Sequence, residues 1–222
     1  MWKSIIYKEW IKTRSAVIVI VVVFLGIGIY SFMKINEGIR LNGIVNVWEL
    51  MVQKDPLILP YFKYLPLLAG ILLAITQYIP ELQSKRLKLT LHLPLNENRI
   101  LLTMLLYGVA VLAILLLVTL PLLLWGLSRY LPAEVVCAGY QQLTPWFLAG
   151  PTAYLMTSWI CLEPQWKQRI MNVVPALLFL SFFLLSAKSG AFRPFEPCLI
   201  VALIVSFFFP FYSTARFKEG VQ

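Results

Sequence analysis

Charge is what this sequence has least of: 13% of its residues are Asp, Glu, Lys or Arg, where an average soluble domain has roughly 25%. A chain with so little polar surface cannot cover itself in water. Histidine occurs once, at His92, which excludes an H-E-x-x-H metal site; with no second ligand or carboxylate near it, His92 reads as a solvated side chain in a basic loop. Three cysteines, Cys137, Cys161 and Cys198, are too few and too scattered for a disulfide framework or a zinc site. There is no G-x-S-x-G nucleophile turn and no G-x-x-x-x-G-K-[ST] phosphate loop. Ser31 and Lys34 form an S-x-x-K pair, but at the end of an apolar run, where a lysine normally reaches for headgroups. No catalytic residue, metal or cofactor is expected, and any ATP used must be bound and hydrolysed by another chain.

What the sequence has is apolar residues, 60% of its 222, in runs that recur along its whole length. Such runs indicate repeated membrane spans, each near the roughly 20 residues a bilayer core requires. Six are expected, at about 16–33, 57–79, 100–127, 146–162, 171–187 and 197–212. The expected fold is thus an all-α integral membrane protein, one transmembrane domain over 1–222. Pro66, Pro121, Pro151, Pro175 and Pro210 predict kinks or interrupted ends. The basic N-terminus is expected to be retained, since 16–33 has no A-x-A-like cleavage site.

The formal charge of +9 does not point to nucleic acid, because the Lys and Arg residues sit in short clusters between apolar runs. With the N-terminus inside, twelve of the nineteen basic residues fall on the inner side and seven on the outer. An even span count then puts both termini in the cytoplasm of a multi-pass inner-membrane protein. Cys137 and Cys198 fall near the outer face and Cys161 near the inner; spacing does not decide whether the outer pair is linked. Of the ionisable residues only Lys63 falls inside an expected span, near its outer end, where it reads as interfacial. The absence of a mid-depth Asp or Glu argues against an ion relay.

Two cytoplasmic segments carry more information. In 1–14, Trp2, Ile5, Ile6 and Trp10 gather on one helical face and Ser4, Lys8 and Lys12 on another, with Lys3 and Glu9 intruding at the apolar edge. This predicts a short helix over 1–15 lying among headgroups, with Trp2, Ile6, Lys8, Trp10 and Lys12 as its interface residues and membrane lipid as its partner. In 81–99, Leu87, Leu89, Leu91 and Leu93 alternate with Lys88, Thr90 and His92, a strand-like period. An isolated strand has nothing to pair with, so a short helix is preferred, ended by Pro94, with Asn96 capping the next. The result is a basic, leucine-studded elbow able to take force from a soluble partner.

The amphipathic start "YKEWIKTRSA", the six-span plan and the loop "ELQSKRLKLTLHLPLNENRILLTMLL" together resemble the permease subunits of ABC exporters of the ABC-2 type, also called type V. Glu81, the leucine-rich stretch 87–93, Pro94 and Arg99 follow that family's order. The chain departs from it in "QSKR", where a Gly-Thr is usual, and in the short segment 188–196, where the family often has re-entrant helices. The resemblance implies that the loop is a coupling helix whose Lys85, Arg86, Leu87, Lys88, Leu91 and Leu93 meet a separate nucleotide-binding ATPase subunit. It also implies that a second permease, copy or paralogue, pairs with this one. Two other classes fit the same segments: a non-transporting anchor or sensor for a cytoplasmic partner, and a small dimeric secondary transporter. A lipid-modifying enzyme fits less well, for want of a catalytic cluster.

Overall fold

The computed structural model describes residues 2–43, 46, 49, 57–83, 97–186 and 188–218. These form α1 (Trp2–Asn42), α2 (Leu65–Gln83), α3 (Glu97–Ser128), α4 (Ala133–Leu162), α5 (Trp166–Ser181), α6 (Glu196–Ser206) and α7 (Phe208–Lys218), with 3-10 turns at Pro60–Lys63, Phe182–Leu184 and Arg193–Phe195. The described residues are all-α, and among them four stretches are long and apolar enough to cross a membrane: Lys3–Leu41, Arg99–Ser128, Trp166–Leu184 and Arg193–Thr214.

The other two expected spans fall on α2 and α4. The apolar part of α2, Leu65–Glu81, is shorter, and α4 carries Gln141, Gln142, Thr144, Thr152, Thr157 and Ser158. Their position explains this. The α4 helix packs against α2, α3, α5, α6 and α7, so its neighbours are mostly protein, where polar and small residues are tolerated as contacts between helices.

The interfacial helix expected over 1–15 is not a separate element: α1 runs unbroken for 41 residues, about 60 Å at 1.5 Å per residue. No Pro or Gly occurs before Gly26, so nothing in the sequence ends the helix at 15. It ends instead at Gly43, which takes φ +78° and donates its N–H to the Ile39 carbonyl at 2.9 Å, a left-handed cap that only glycine adopts cheaply. Pro121, Pro151 and Pro175 lie within continuous helices and Pro66 in the first turn of α2. A break does occur at Phe207, between α6 and α7, four residues beyond Leu203 and three before Pro210, whose missing N–H and ring disrupt the preceding turn.

Named contacts give the direction of each helix. Glu81 meets Lys8 while Phe62 meets Phe24, so α2 runs antiparallel to α1. Tyr107 meets Thr13 and Gly126 meets Phe32, so α3 runs parallel to α1. The α4 helix follows α2, with Gly150 against Gly70 and Tyr154 against Tyr78. Ser213 of α7 meets Glu163 just past α4. The start of α1 and the end of α7 therefore lie at the same end of the bundle. Leu73, Tyr78, Met104, Leu105, Trp146 and Tyr154 form its fully buried centre.

Glycine sets the spacing of the two central helices. A Cβ on Gly70 would overlap the carbonyl oxygen of Gly150, so the backbones of α2 and α4 touch directly, the close approach that small residues permit between apolar helices. The three cysteines are free, with Cys137 and Cys198 exposed.

Candidate functional site

Ile5, Glu9, Thr13, Ala16, Ile20 and Phe24 form the buried stripe of α1, recurring at the steps of three and four that keep one helix face against its neighbours. Two of them are polar. Glu9 is fully buried, and Thr13 donates its hydroxyl hydrogen to the Glu9 carbonyl at 2.9 Å. That leaves Tyr107 of α3 to donate to the Thr13 oxygen at 2.7 Å, because a hydroxyl carries one hydrogen.

At the same level α2 contributes Glu81, whose side chain is 1% exposed. Its Oε1 receives Lys8 Nζ at 2.8 Å and Lys12 Nζ at 2.9 Å, and Lys12 Nζ also lies 2.7 Å from Glu9 Oε1. The result is a chain, Lys8, Glu81, Lys12, Glu9, that joins α1 to α2. Glu9 Oε2 has no hydrogen-bond partner among the described residues, and neither has Glu81 Oε2. Two acids against two lysines make the cluster neutral in sum. Desolvating each ion costs several kcal/mol, so such a cluster contributes more to holding one arrangement than to net stability.

A neutral network continues inward from it. Tyr154 of α4 donates to Gln77 Oε1 at 2.8 Å, and Gln77 Nε2 donates to the Met104 carbonyl at 3.0 Å. With its hydrogen so used, Tyr154 accepts from Tyr78 at 3.3 Å. Helices α2, α3 and α4 are thereby joined next to the junction of α1 with α2.

A second carboxylate has the corresponding place on the other side of the bundle. Glu163, fully buried, follows α4; it accepts a hydrogen bond from Ser213 and lies 3.2 Å from Arg216 NH1, both of α7. Arg169 of α5 donates to the carbonyls of Cys161, at 3.1 Å, and Glu163, at 2.7 Å. One carboxylate thus pins the start of α1 and another pins the last helix.

The expected interface residues divide. Ile6 and Trp10 are exposed and outside the buried stripe of α1. Lys8 and Lys12 turn inward to Glu81 rather than out to headgroups. The side chain of Trp2 lies outside the described residues, as do Lys85, Arg86, Leu87, Lys88, Leu91 and Leu93 of the expected coupling helix. Ser31 and Lys34 do not act together: Ser31 donates to the Ile27 carbonyl and Lys34 pairs with Glu37. Lys63 lies over the ring of Tyr64. Glu9, Glu163 and the tyrosine network were not anticipated from the sequence. For Glu9 the signal was present, since the stripe through 5, 9 and 13 emerges once the helix is continued past 15 to Ala16, Ile20 and Phe24.

Among the described residues no three of His, Cys, Asp and Glu are grouped to hold a metal ion. What the buried groups can do is fix helix ends against one another and carry a force between them. Comparison with protein-family models, with curated proteins and with solved structures finds no match to this chain.

Proposed function

We propose that this chain is the membrane subunit of an ATP-driven exporter of the ABC-2 type, crossing the inner membrane six times with both ends in the cytoplasm. In this reading α2 and α4 cross as well, packed against the other helices. A separate ATPase subunit engages 84–96, and a second permease, copy or paralogue, completes the path. The observation that supports it is the clamp on Glu81. Residues 84–96 join α2 to α3, and the helix ends on either side of them are tied through Lys8, Lys12, Thr13 and Tyr107 to the start of α1. A push on that segment would be delivered to three helices together, as a coupling element requires.

Replacing Leu87 and Leu91 with Asp puts unpaired charges into the proposed contact, where apolar anchors carry most of the binding energy. The tagged double variant is expected to reach the membrane at wild-type level and to lose a co-purifying ATPase by tenfold or more. Lys85→Ala with Lys88→Ala should weaken association only modestly and make it less salt-sensitive. If the Asp variant keeps an ATPase at full activity, 84–96 is only a connector.

Topology has its own test. A cysteine at Asn42 is expected to react with a membrane-impermeant maleimide in intact cells, while tags before Met1 and after Gln222 stay protected. Reaction at Asn42 only after permeabilisation would reverse the orientation.

The buried acids give some weight to ion-coupled secondary transport, but their depth counts against it. Glu9 lies fifteen residues from Phe24, in the middle of the apolar run 16–33, hence about 22 Å along the helix. Half the hydrocarbon core is about 15 Å. Such a position belongs at headgroup level and not at the midplane, where coupling sites of secondary transporters lie. Export that survives ATP depletion and collapses with an ion gradient would favour this alternative.

A further inference from the structure

The first turns of α1 carry two kinds of cation. Lys8 and Lys12 are engaged by Glu81. Lys3 and Arg14 are exposed and have no acidic partner among the described residues. Their positions are not arbitrary: Lys3, Tyr7, Trp10, Arg14, Val17 and Val21 follow one another at alternating steps of four and three, which is a single stripe along a helix. Two cations and two exposed aromatic residues therefore lead into a run of valines on one face.

That face forms one wall of a groove of about 460 Å³ between α1 and α3, lined by Trp10, Val17, Val21 and Leu25 on one side and by Ile114 and Val118 on the other. Among the described residues no charged side chain lines it. From Trp10 to Leu25 it extends fifteen residues, about 22 Å, which is about half of the 40–45 Å bilayer with its headgroups. The groove is as long as one leaflet is deep, apolar where acyl chains lie, and cationic and aromatic at the end where headgroups lie.

We propose that this groove binds one anionic phospholipid of the leaflet at the N-terminal end of α1, with an acyl chain along Val17, Val21 and Val118, the phosphate beside Arg14, and Lys3, about 16 Å further out along the helix, attracting the headgroup through the field at the membrane surface. Trp10 and Tyr7 lie one and two turns outward of Arg14, at the level of the headgroups, where such side chains are favoured at an interface. The ion pairs to Glu81 make this specific. They remove Lys8 and Lys12 from competition for the headgroup and leave the free cations on the groove stripe alone. The inference rests on the membrane placement of α1 and α3 and does not require a partner ATPase.

The test is a titration of the delipidated full-length protein, followed by native mass spectrometry, with phosphatidylglycerol and with phosphatidylcholine of the same acyl chains. Wild type should retain one phosphatidylglycerol in clear preference to phosphatidylcholine. Lys3→Ala with Arg14→Ala should weaken phosphatidylglycerol by roughly fivefold per cation removed and leave phosphatidylcholine unchanged. Arg14→Glu, at an exposed position that no core contact depends on, should reverse the preference. Val21→Trp should fill the groove and remove one bound lipid of either kind. Equal binding of the two lipids by wild type, or full preference in the double alanine variant, would overturn the site. So would efficient dimer crosslinking through Val118→Cys in native membranes, since a second copy would then occupy the groove. Loss of the ATPase interaction in the 84–96 variants would leave all these results unchanged, so the two proposals fail separately.

Discussion

Gly70→Leu is expected to yield no monodisperse folded protein after extraction, and Gly70→Ala to lower stability by about 3 kcal/mol, the upper end for overpacking a well-packed interior. The reason is which atom stands in the way. The added Cβ would overlap the carbonyl oxygen of Gly150 and lie 3.0 Å from the Tyr154 backbone nitrogen. A clashing side chain can change rotamer, but a helical carbonyl is held in its own hydrogen bond and cannot turn aside. The α2 and α4 helices must therefore separate. That separation would also pull on Tyr78, Tyr154 and Gln77, which bridge them further along. Against a total stability of about 5–15 kcal/mol, a leucine at this site leaves no margin. Gly26 is the control, because a Cβ there meets nothing within 4 Å; Gly26→Ala should match wild type or gain slightly from helix propensity. Thermal unfolding followed by size-exclusion chromatography measures all three. A wild-type midpoint for Gly70→Leu would show that the helices do not meet as described.

The second large effect is expected at Glu81. Replacing it with Ala leaves Lys8 and Lys12 facing each other without their shared anion, and breaking a buried ion pair by removing one partner costs about 3–5 kcal/mol. The lower end applies, since Lys8 is 37% exposed and can turn to solvent, whereas Lys12 at 15% has less room. Glu81→Gln should be nearly as damaging, because it preserves shape but not charge. The informative comparison removes the whole cluster: Lys8→Met, Glu9→Leu, Lys12→Met and Glu81→Leu together should recover most of the lost stability, since apolar groups of similar volume often replace buried ions at little cost. If Glu81→Ala alone is neutral in the same unfolding assay, the cluster is not a clamp, and the tie between α1 and the end of α2 loses its physical basis.

These two positions differ in how visible they are in the sequence. Glu81 stands out as the acid that ends an apolar run and begins a basic loop, but its partners do not, because 69 residues separate it from Lys12. Gly70 is one of eleven glycines, and nothing local separates it from Gly26. Which glycine receives a neighbouring backbone is decided by the crossing of two helices that begin about 68 residues apart. The same holds for the groove: the stripe from Lys3 to Val21 is legible as a period, while the opposite wall from α3 is not.

The sequence by itself determined that the protein is helical and that several of its helices are apolar enough to cross a membrane, because both follow from short-range properties: hydropathy summed along a run, and the need to satisfy backbone hydrogen bonds within each segment in lipid. It also set the segments 1–14 and 81–99 apart from the apolar runs, through period and charge. Only the tertiary structure decided which face of α1 turns inward, that Lys8 and Lys12 serve Glu81 while Lys3 and Arg14 do not, and that α2 and α4 meet backbone to backbone at the centre. Those outcomes depend on which helices meet and at what rotation, and a charge 69 residues away leaves no periodic trace in the segment it pairs with.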